Sequence, residues 1–315
     1  MNNLEAQAAT SGKWGVIYSA RAGNKSAHKK WKLICDYLKE KNVAFDYLES
    51  EGYGGVERLS RIFASNGYET IVVVGGDGSL SDAVNGIMNT PERNPDVALA
   101  VIPNGISNDF ARFWAMDAED YKKSVDIILQ RRKRKIDVGV FDFIGDGNVE
   151  RRYFLNCVNI GLGARLIAKT DEFNRLSGSK RYSALGMALS QTFERKSFKV
   201  RLKADTEIIS SDVMSVCIGN SLGYGQTPNA VPYNGYLDIS VVTRPQWWQM
   251  FEGFWLLEKG HFLNYKNVKP YRVSEVEILE AEKAPISVDD KILKNKEMTN
   301  MKVSLIREGI DFIFG

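Results

Sequence analysis

The sequence has few of the residues that form disulfide frameworks or histidine-based metal sites: three cysteines and two histidines among 315 residues. Cys35, Cys157 and Cys217 are far apart in the chain, so we predict buried thiols in a reducing compartment and no disulfide framework. With only His28 and His261 available, a histidine-based metal centre is not expected.

Long hydrophobic runs and a strong net charge are also missing. No stretch of about 18 apolar residues is present to span a membrane, and the polar segment Met1–Glu5 does not resemble a signal peptide. The net charge of +3 is too small to argue for a nucleic-acid partner. A hydrophobic content of 44% and a charged content of 26% are ordinary for a globular protein. The expectation is a cytoplasmic protein of two domains, each of roughly 150 residues.

The most informative stretch is residues 71–88. Four β-branched residues, Ile71 to Val74, are typical of a strand buried on both faces. Three glycines and a carboxylate follow in Gly75 to Ser79, and the apolar residues from Leu80 onward have helical spacing. The predicted unit is therefore strand, glycine turn and helix, whose free N–H groups favour an anion such as phosphate.

A carboxylate is unusual in a turn that binds only phosphate, and Asp77 suits a metal or an attacking hydroxyl that must also be held. A tight turn without a ligand is the alternative. The segment lacks the Gly-Lys-Ser/Thr ending of a Walker A loop. It also lacks a dinucleotide fingerprint, whose third glycine would fall at Ser81.

Strands and helices alternate through the first part of the chain. The predicted strands are Trp14–Tyr18, Val43–Leu48, Ile71–Val74 and Val97–Ile102, which favours an α/β fold with a doubly wound parallel sheet. Ligands of such sheets bind at the carboxyl ends of the strands, so the loops that follow these strands should converge on one site. Those loops are residues 19–26, 50–55, 75–79 and 103–109.

The loop after the fourth strand contains several small polar residues. Ser107 or Asn108 can cap the helix that begins there, and capping alone is one interpretation of Asn108 and Asp109. Because they face Asp77 across neighbouring strand ends, the other interpretation is a polar acceptor site.

The pattern changes at Ile136 to short alternating strands, which favours an antiparallel β-sandwich or barrel. The predicted strands are 136–144, 152–159, 199–208, 212–218, 236–243, 273–280, 285–292 and 300–306. Helical patterns remain at 163–170, 179–193 and 245–258. We predict one domain at 13–137, to which a tail of about 307–315 returns, and a second at 138–306.

Two surface segments have two interpretations each. The basic run 131–135 suits either a solvated helix end or contact with anionic lipid head groups. The aromatic segment 244–262 includes Trp247, Trp248, Phe251 and Trp255. It suits either packing on the sandwich or a patch at a bilayer surface.

Together, Val74–Ser79 and Ile102–Arg112 resemble the catalytic domain shared by diacylglycerol kinases, sphingosine/ceramide kinases and bacterial lipid kinases. Ser19–Gly23 stands where that family has Asn-Pro-x-Ser/Ala-Gly. Later segments also resemble it: Tyr153–Asn156, Ile160–Gly163, Ile218–Asn220 and Gly235–Asp238. The resemblance covers nearly the whole chain, whereas the glycine turn alone is shared with NAD kinases and phosphofructokinases.

The resemblance implies an NAD kinase/phosphofructokinase-like nucleotide domain followed by a β-sandwich domain that binds the lipid. It implies ATP and Mg²⁺, with Asp77 orienting the lipid hydroxyl or holding Mg²⁺. Asn108 and Asp109 would lie beside the lipid, and Asp289 would support catalysis. The implied ATP contacts are Arg21, Ala22, Gly23, Ser50, Gly75, Gly76, Asp77, Gly78, Ser79, Leu80, Asn104, Gly105, Ile106 and Ser107.

Three positions depart from the family pattern. Ile106 stands where Thr is common, although Ser107 is adjacent. Asn234 stands where the second-domain Mg²⁺ site has Asp. Lys291 stands where bacterial members have the Glu that is their proposed base. A protonated lysine cannot accept a proton, although it can pair with phosphate.

The expected function is an ATP-dependent lipid kinase that phosphorylates a hydroxyl of a membrane lipid such as diacylglycerol, ceramide or a sphingoid base. Phosphoryl transfer needs a phosphate cradle, a divalent ion and a carboxylate to position the hydroxyl. We expect the protein to associate peripherally with the membrane, where its partner is a lipid at the membrane surface. The sequence leaves open whether the protein forms a homodimer. The alternatives are a catalytically weak nucleotide or lipid sensor and, less favoured because of Asn108–Arg112, an NAD kinase.

Overall fold

A computed structural model describes residues 12–20, 25–105, 108–167, 197–246, 248–293 and 298–315. The chain divides into two compact units. Unit 1 comprises Met1–Ile136 and Glu308–Gly315, and unit 2 comprises Asp137–Arg307. The predicted helix at 179–193 lies outside the described residues, as does the end of the one predicted at 163–170.

Unit 1 contains a parallel sheet in which β4 pairs with β3, β3 with β1, and β1 with β2. This sheet confirms the parallel α/β architecture predicted from the alternating pattern. Its second strand begins two residues later than the predicted start at Val43. The strands are β1 Trp14–Ser19, β2 Phe45–Ser50, β3 Thr70–Gly75 and β4 Ala98–Pro103.

Helices follow the strands of unit 1, and their apolar faces cover the sheet. Trp31, Ile34 and Leu38 of the first helix pack with Val72 and Val74 of the central strand in one buried cluster. The helices are α1 Lys25–Glu40, α2 Gly55–Ser65, α3 Asp77–Met88, α4 Asp109–Phe113 and α5 Tyr121–Leu129.

The basic run 131–135 does not form the end of a helix, which corrects the interpretation of this run as a solvated helix end. Helix α5 ends at Leu129, Arg131 has a left-handed φ of 54°, and strand β5 begins at Lys133. The Lys135 ammonium lies 3.5 Å from the Asp311 carboxylate. The run therefore belongs to a turn and the start of a strand.

Unit 2 is built from antiparallel strands around one large apolar cluster, and the predicted β-sandwich-like domain is confirmed. Its central strand β9 pairs with β7, β8 and β10. The strands that complete the chain are β5 Lys133–Gly145, β6 Asn148–Phe154, β7 Cys157–Gly161, β8 Phe198–Ala204, β9 Glu207–Gly219, β10 Leu237–Thr243, β11 Val268–Val273, β12 Val276–Ala281, β13 Ile286–Val288, β14 Lys291–Ile292 and β15 Met298–Ile313. Residues 162–167 are helical, and a later helix, α6, spans Gln249–Glu258.

Three predicted strands of unit 2 differ from the structure. The strand predicted at 152–159 is divided into β6 and β7, and the one predicted at 285–292 into β13 and β14. The pattern predicts a single strand at 273–280, but β11 and β12 flank a turn in which the Asp205 carboxylate accepts from the backbone N–H of Ser274 and Glu275. Pro270 within β11 lowers the strand signal in the sequence.

The final strand, β15, contributes to both units. Its residues Met301 and Val303 pair with β12 in unit 2. Asp311 and Phe312 pair in parallel with β4 in unit 1. None of the described helices is both long enough and apolar enough to cross a bilayer.

Candidate functional site

The glycine turn lies between β3 and α3, at the carboxyl end of a strand of unit 1 that is buried throughout. All six residues of β3 are buried. A methyl group on Gly75 would lie 2.7 Å from Cβ of Ser79 and 3.3 Å from Cβ of Ser19, so only glycine allows the helix to begin this close to the sheet. Gly76 precedes the helix and provides no side-chain cap. The first N–H groups of α3 therefore lack intrahelical partners, as at any helix start, and can bind an anion.

Asp77 joins this turn to the next helix of unit 1. Its side chain is buried, with Oδ2 accepting from the Asp109 N–H at 2.8 Å and Oδ1 accepting from the Phe110 N–H at 3.1 Å. The carboxylate therefore turns toward the start of α4 and not toward the open end of its own helix. Because a buried carboxylate needs such donors, Asp77 fixes the distance between the glycine turn and α4.

The loop between β4 and α4 is held by Asn104 and Asn108. The Asn104 N–H donates to the Gly75 carbonyl at 2.9 Å. Its side chain is only 7% exposed, and its Nδ2 has no partner among the described residues. A buried amide donor without a partner is costly, so this group is available to a polar ligand next to the glycine turn.

Asn108 closes its own loop and does not cap α4. Its Oδ1 accepts from the Gly105 N–H at 3.2 Å, and its Nδ2 donates to the Gly105 carbonyl at 2.9 Å. The capping interpretation of Asn108 is therefore wrong, since no side-chain cap bond forms at α4. Asp109 is paired with the exposed guanidinium of Arg112.

The structure thus brings together the sequence-predicted residues of the glycine turn and of the loop around Asn104, Asn108 and Asp109. Ser50 ends β2 and pairs with Ser19, at the same carboxyl edge of the sheet. Arg21, Ala22 and Gly23 lie outside the described residues, and so do Ile106 and Ser107.

Lys30 was missed by the sequence analysis. It reaches from α1 to donate from Nζ to the Pro103 carbonyl at 3.3 Å and to the Ala118 carbonyl. Burial lowers the pKa of Lys30, and the carboxylates of Asp117 and Glu119 partly oppose this effect. A lysine within a run of lysines gives no sequence signal that distinguishes it.

Asp289 organises a separate region within unit 2. Its buried carboxylate accepts three backbone N–H groups: those of Asn156 at 2.9 Å, Cys157 at 3.0 Å and Leu155 at 3.1 Å. Its own N–H donates to the Cys157 carbonyl at 2.8 Å, and its φ of 47° is left-handed. Asp289 therefore positions the turn between β6 and β7.

Lys291 follows closely in the same segment of unit 2. It pairs with Val288 at the short β13–β14 ladder and is partly buried. The neighbouring Asp290 accepts a hydrogen bond from the Tyr224 hydroxyl. The strand pairing and the hydrogen bond from Tyr224 therefore fix the position of residues 288–291.

The loop at Asn234 does not fit a resident divalent ion. Asn234 Oδ1 accepts from the Tyr236 N–H at 2.9 Å, while Asp137 Oδ2 accepts from the Gly235 N–H at 2.7 Å. The Gly235 carbonyl accepts from the Arg307 guanidinium at 3.3 Å. Over the part of the chain that the structure describes, no group of three His, Cys, Asp or Glu residues is placed to hold a metal.

Asp137 was also missed, although a lone carboxylate between Ile136 and Val138 is a sequence signal of a buried polar contact.

The two buried thiols, Cys157 and Cys217, lie in neighbouring strands β7 and β9. Burial raises the pKa of Cys157 well above its usual value, which favours the protonated thiol over the reactive thiolate.

Comparisons with known proteins agree with this architecture. Residues 13–141 match the sequence model of the diacylglycerol kinase catalytic domain. Residues 156–300 match that of the YegS C-terminal NAD kinase beta sandwich-like domain.

Curated relatives span most of the chain. A diacylglycerol kinase of Staphylococcus carnosus is 27% identical over 282 residues, covering 87% of each chain. A diacylglycerol kinase of Mycobacterium tuberculosis is 25% identical over 271 residues, covering 85% of each.

A solved structure of a diacylglycerol kinase from Bacillus anthracis shares the fold, with a TM-score of 0.67 and 20% identity. It covers 96% of this chain and 97% of its own. The two consecutive family matches, the parallel sheet with its glycine turn and the antiparallel second unit lead to one assignment: the chain carries a diacylglycerol kinase catalytic domain at residues 13–141, followed by a YegS C-terminal NAD kinase beta sandwich-like domain at residues 156–300.

Proposed function

We propose that the protein is an ATP-dependent lipid kinase that transfers the γ-phosphoryl group to a hydroxyl of a membrane lipid. The observation that carries the proposal is the buried Asp77 carboxylate, which joins an uncapped glycine turn to the start of α4. The names of the relatives support the same class of reaction, because they are diacylglycerol kinases and lipid kinases.

MgATP enters this scheme as a substrate. Its phosphates would bind the free N–H groups at the start of α3 and the Asn104 amide. The lipid hydroxyl oxygen forms a bond to the γ-phosphorus, the bond from that phosphorus to the β–γ bridging oxygen breaks, and ADP leaves. Asp77 orients the hydroxyl, and we propose that the hydroxyl proton passes to the same carboxylate.

A second function is favoured by one residue. Lys291 stands where related bacterial kinases have their proposed glutamate base, which suits a sensor that binds nucleotide or lipid with little turnover. The lipid kinase is preferred because Asp77, Asp109 and Asp289 are all present.

The test is phosphoryl transfer from γ-labelled ATP to a panel of diacylglycerol, ceramide, sphingosine, undecaprenol and NAD. We expect label on one of the four lipids. Nucleotide binding without transfer to any acceptor would support the sensor and contradict the kinase, whereas label on NAD alone would support an NAD kinase.

We predict that Lys291→Glu weakens ATP binding and lowers turnover, because it replaces a cation that we propose to pair with phosphate by a negative charge. The measurements are the ATP dissociation constant by calorimetry and turnover on the best lipid. The matched control is Lys283→Glu, which makes the same charge change at an exposed turn of unit 2.

The control should keep both values near those of the wild type. A gain in turnover for Lys291→Glu would contradict the anchoring role of Lys291. It would instead indicate that the lysine had replaced a working base.

A further inference from the structure

Helix α6 of unit 2 has an aromatic outer face. Phe251 and Trp255 lie on this helix, and Trp248 is the residue before its first turn. Their spacing of three and four residues places them on one side. Trp248 is 55% exposed, Phe251 52% and Trp255 59%. Three large aromatic side chains therefore present on the order of 300 Å² of surface to the surroundings.

The opposite face of α6 is packed, which fixes the orientation of the helix. Met250 and Gly253 are buried, and a methyl group on Gly253 would lie 2.9 Å from the Tyr265 ring. Leu256 and Leu257 pack on a small apolar cluster that includes Phe262 and Tyr265. The exposed aromatic residues are therefore not part of the core, because other side chains already fill the space on the buried side of the helix.

The exposed charged residues of segment 244–269 are mainly basic. Two exposed carboxylates, Glu252 and Glu258, lie on α6 itself, and four exposed cations lie close to the helix in the sequence. These cations are Arg244, Lys259, Lys266 and Lys269. Tryptophan and phenylalanine between cationic side chains form the composition that is enriched where a protein meets an anionic bilayer surface.

We propose that the aromatic face of α6, defined by Trp248, Phe251 and Trp255, docks the protein on an anionic bilayer. The rings enter the boundary between head groups and acyl chains, and the flanking lysines and Arg244 lie among anionic head groups. This inference rests on the proposed function, because a lipid acceptor resides in a bilayer. The bilayer is favoured over a protein partner by the excess of exposed cations over exposed carboxylates in segment 244–269.

The basic run 131–135 is a weaker candidate for the same contact. The Arg131 guanidinium donates to the Gly12 carbonyl, and the Arg134 guanidinium lies over the Phe314 ring. Lys133 and Lys135 face Asp311. Because these cations already have intramolecular partners, we expect them to contribute less to vesicle binding than α6.

The test is flotation with vesicles of equal parts phosphatidylglycerol and phosphatidylcholine. We expect Trp248→Gln/Phe251→Gln/Trp255→Gln to lower the partition constant at least ~10-fold at moderate salt. The matched control is Val149→Ser/Ile208→Ser, which removes exposed apolar side chains elsewhere in unit 2, at 82% and 62% exposure, and should bind as the wild type does. Arg131→Gln/Arg132→Gln/Arg134→Gln should weaken binding less, and only at low salt.

Turnover on a short-chain diacylglycerol in detergent micelles separates this inference from the proposed function. The α6 variant should keep turnover in micelles while losing vesicle binding. If no variant transfers phosphate but α6 still controls flotation, the docking face stands and the kinase proposal fails. Wild-type protein that does not float, or an α6 variant that floats normally, would overturn the docking face. A change in oligomeric state with no change in flotation would assign the face to a second copy instead.

Discussion

Asp77→Asn is expected to reduce turnover on the best lipid acceptor at least ~100-fold. In the proposed mechanism an ionised carboxylate at this position orients the hydroxyl, and an amide does not supply that charge. The structure adds a second effect. One of the two backbone N–H groups now bound by Asp77 would face an amide nitrogen and lose its acceptor, which costs about 1–3 kcal/mol of unfolding free energy.

Turnover and thermal unfolding must therefore be measured on the same sample. Asp120→Ala is the matched control in unit 1, because it removes the side-chain hydrogen bond to the Lys123 N–H at the start of α5 and costs about 1 kcal/mol. The control should lose stability and keep turnover within about twofold of the wild type. Turnover near the wild-type value in folded Asp77→Asn would exclude a catalytic role for this carboxylate.

Asp289→Ala is expected to have the largest effect on stability. It leaves three buried backbone N–H groups without the acceptor that they now share, and we expect a loss of roughly 3 kcal/mol or more. Activity should fall as well, because the segment that carries Lys291 follows Asp289 directly. Chemical unfolding followed by fluorescence measures the first effect, and the kinase assay on the folded fraction measures the second.

Asp205→Ala provides an unusually close control for this change. Asp205 also has a left-handed φ of 49°, and its carboxylate also accepts from backbone N–H groups, those of Ser274 and Glu275, but at an exposed turn. We expect it to cost under about 1 kcal/mol, since water can replace the carboxylate. Equal losses in the two variants would show that burial of Asp289 is not what makes it important.

The parallel sheet could be predicted because its strands are short runs of β-branched residues, such as Ile71–Val74, that alternate with amphipathic helices. The convergence of the glycine turn with the loop around Asn104 and Asp109 also followed from sequence, since the carboxyl ends of neighbouring parallel strands share one edge. These features depend on local patterns and on general rules of topology.

The hydrogen-bond partners of the site residues could not be predicted. Nothing near Asp77 in the sequence indicates that its oxygens accept from the N–H groups of Asp109 and Phe110, because this contact depends on how α4 is placed. The left-handed backbone of Asp289 is likewise set by its tertiary contacts with Leu155–Cys157. The same reasoning applies to Lys30, whose ammonium bonds to carbonyl groups that are distant in sequence.

The position of the last strand determines when unit 1 can complete its packing during protein synthesis. Phe312 packs against Phe110 and Trp114 at centroid distances of 5.2 and 5.5 Å, and Phe110 is one of the two residues whose N–H groups bind Asp77. A ribosome that has translated the first 136 residues has therefore made the glycine turn and α4 but not the ring that packs against α4. The nascent unit lacks residues 308–313 until unit 2 has been translated, so the packing of α4 is completed only at the end of synthesis.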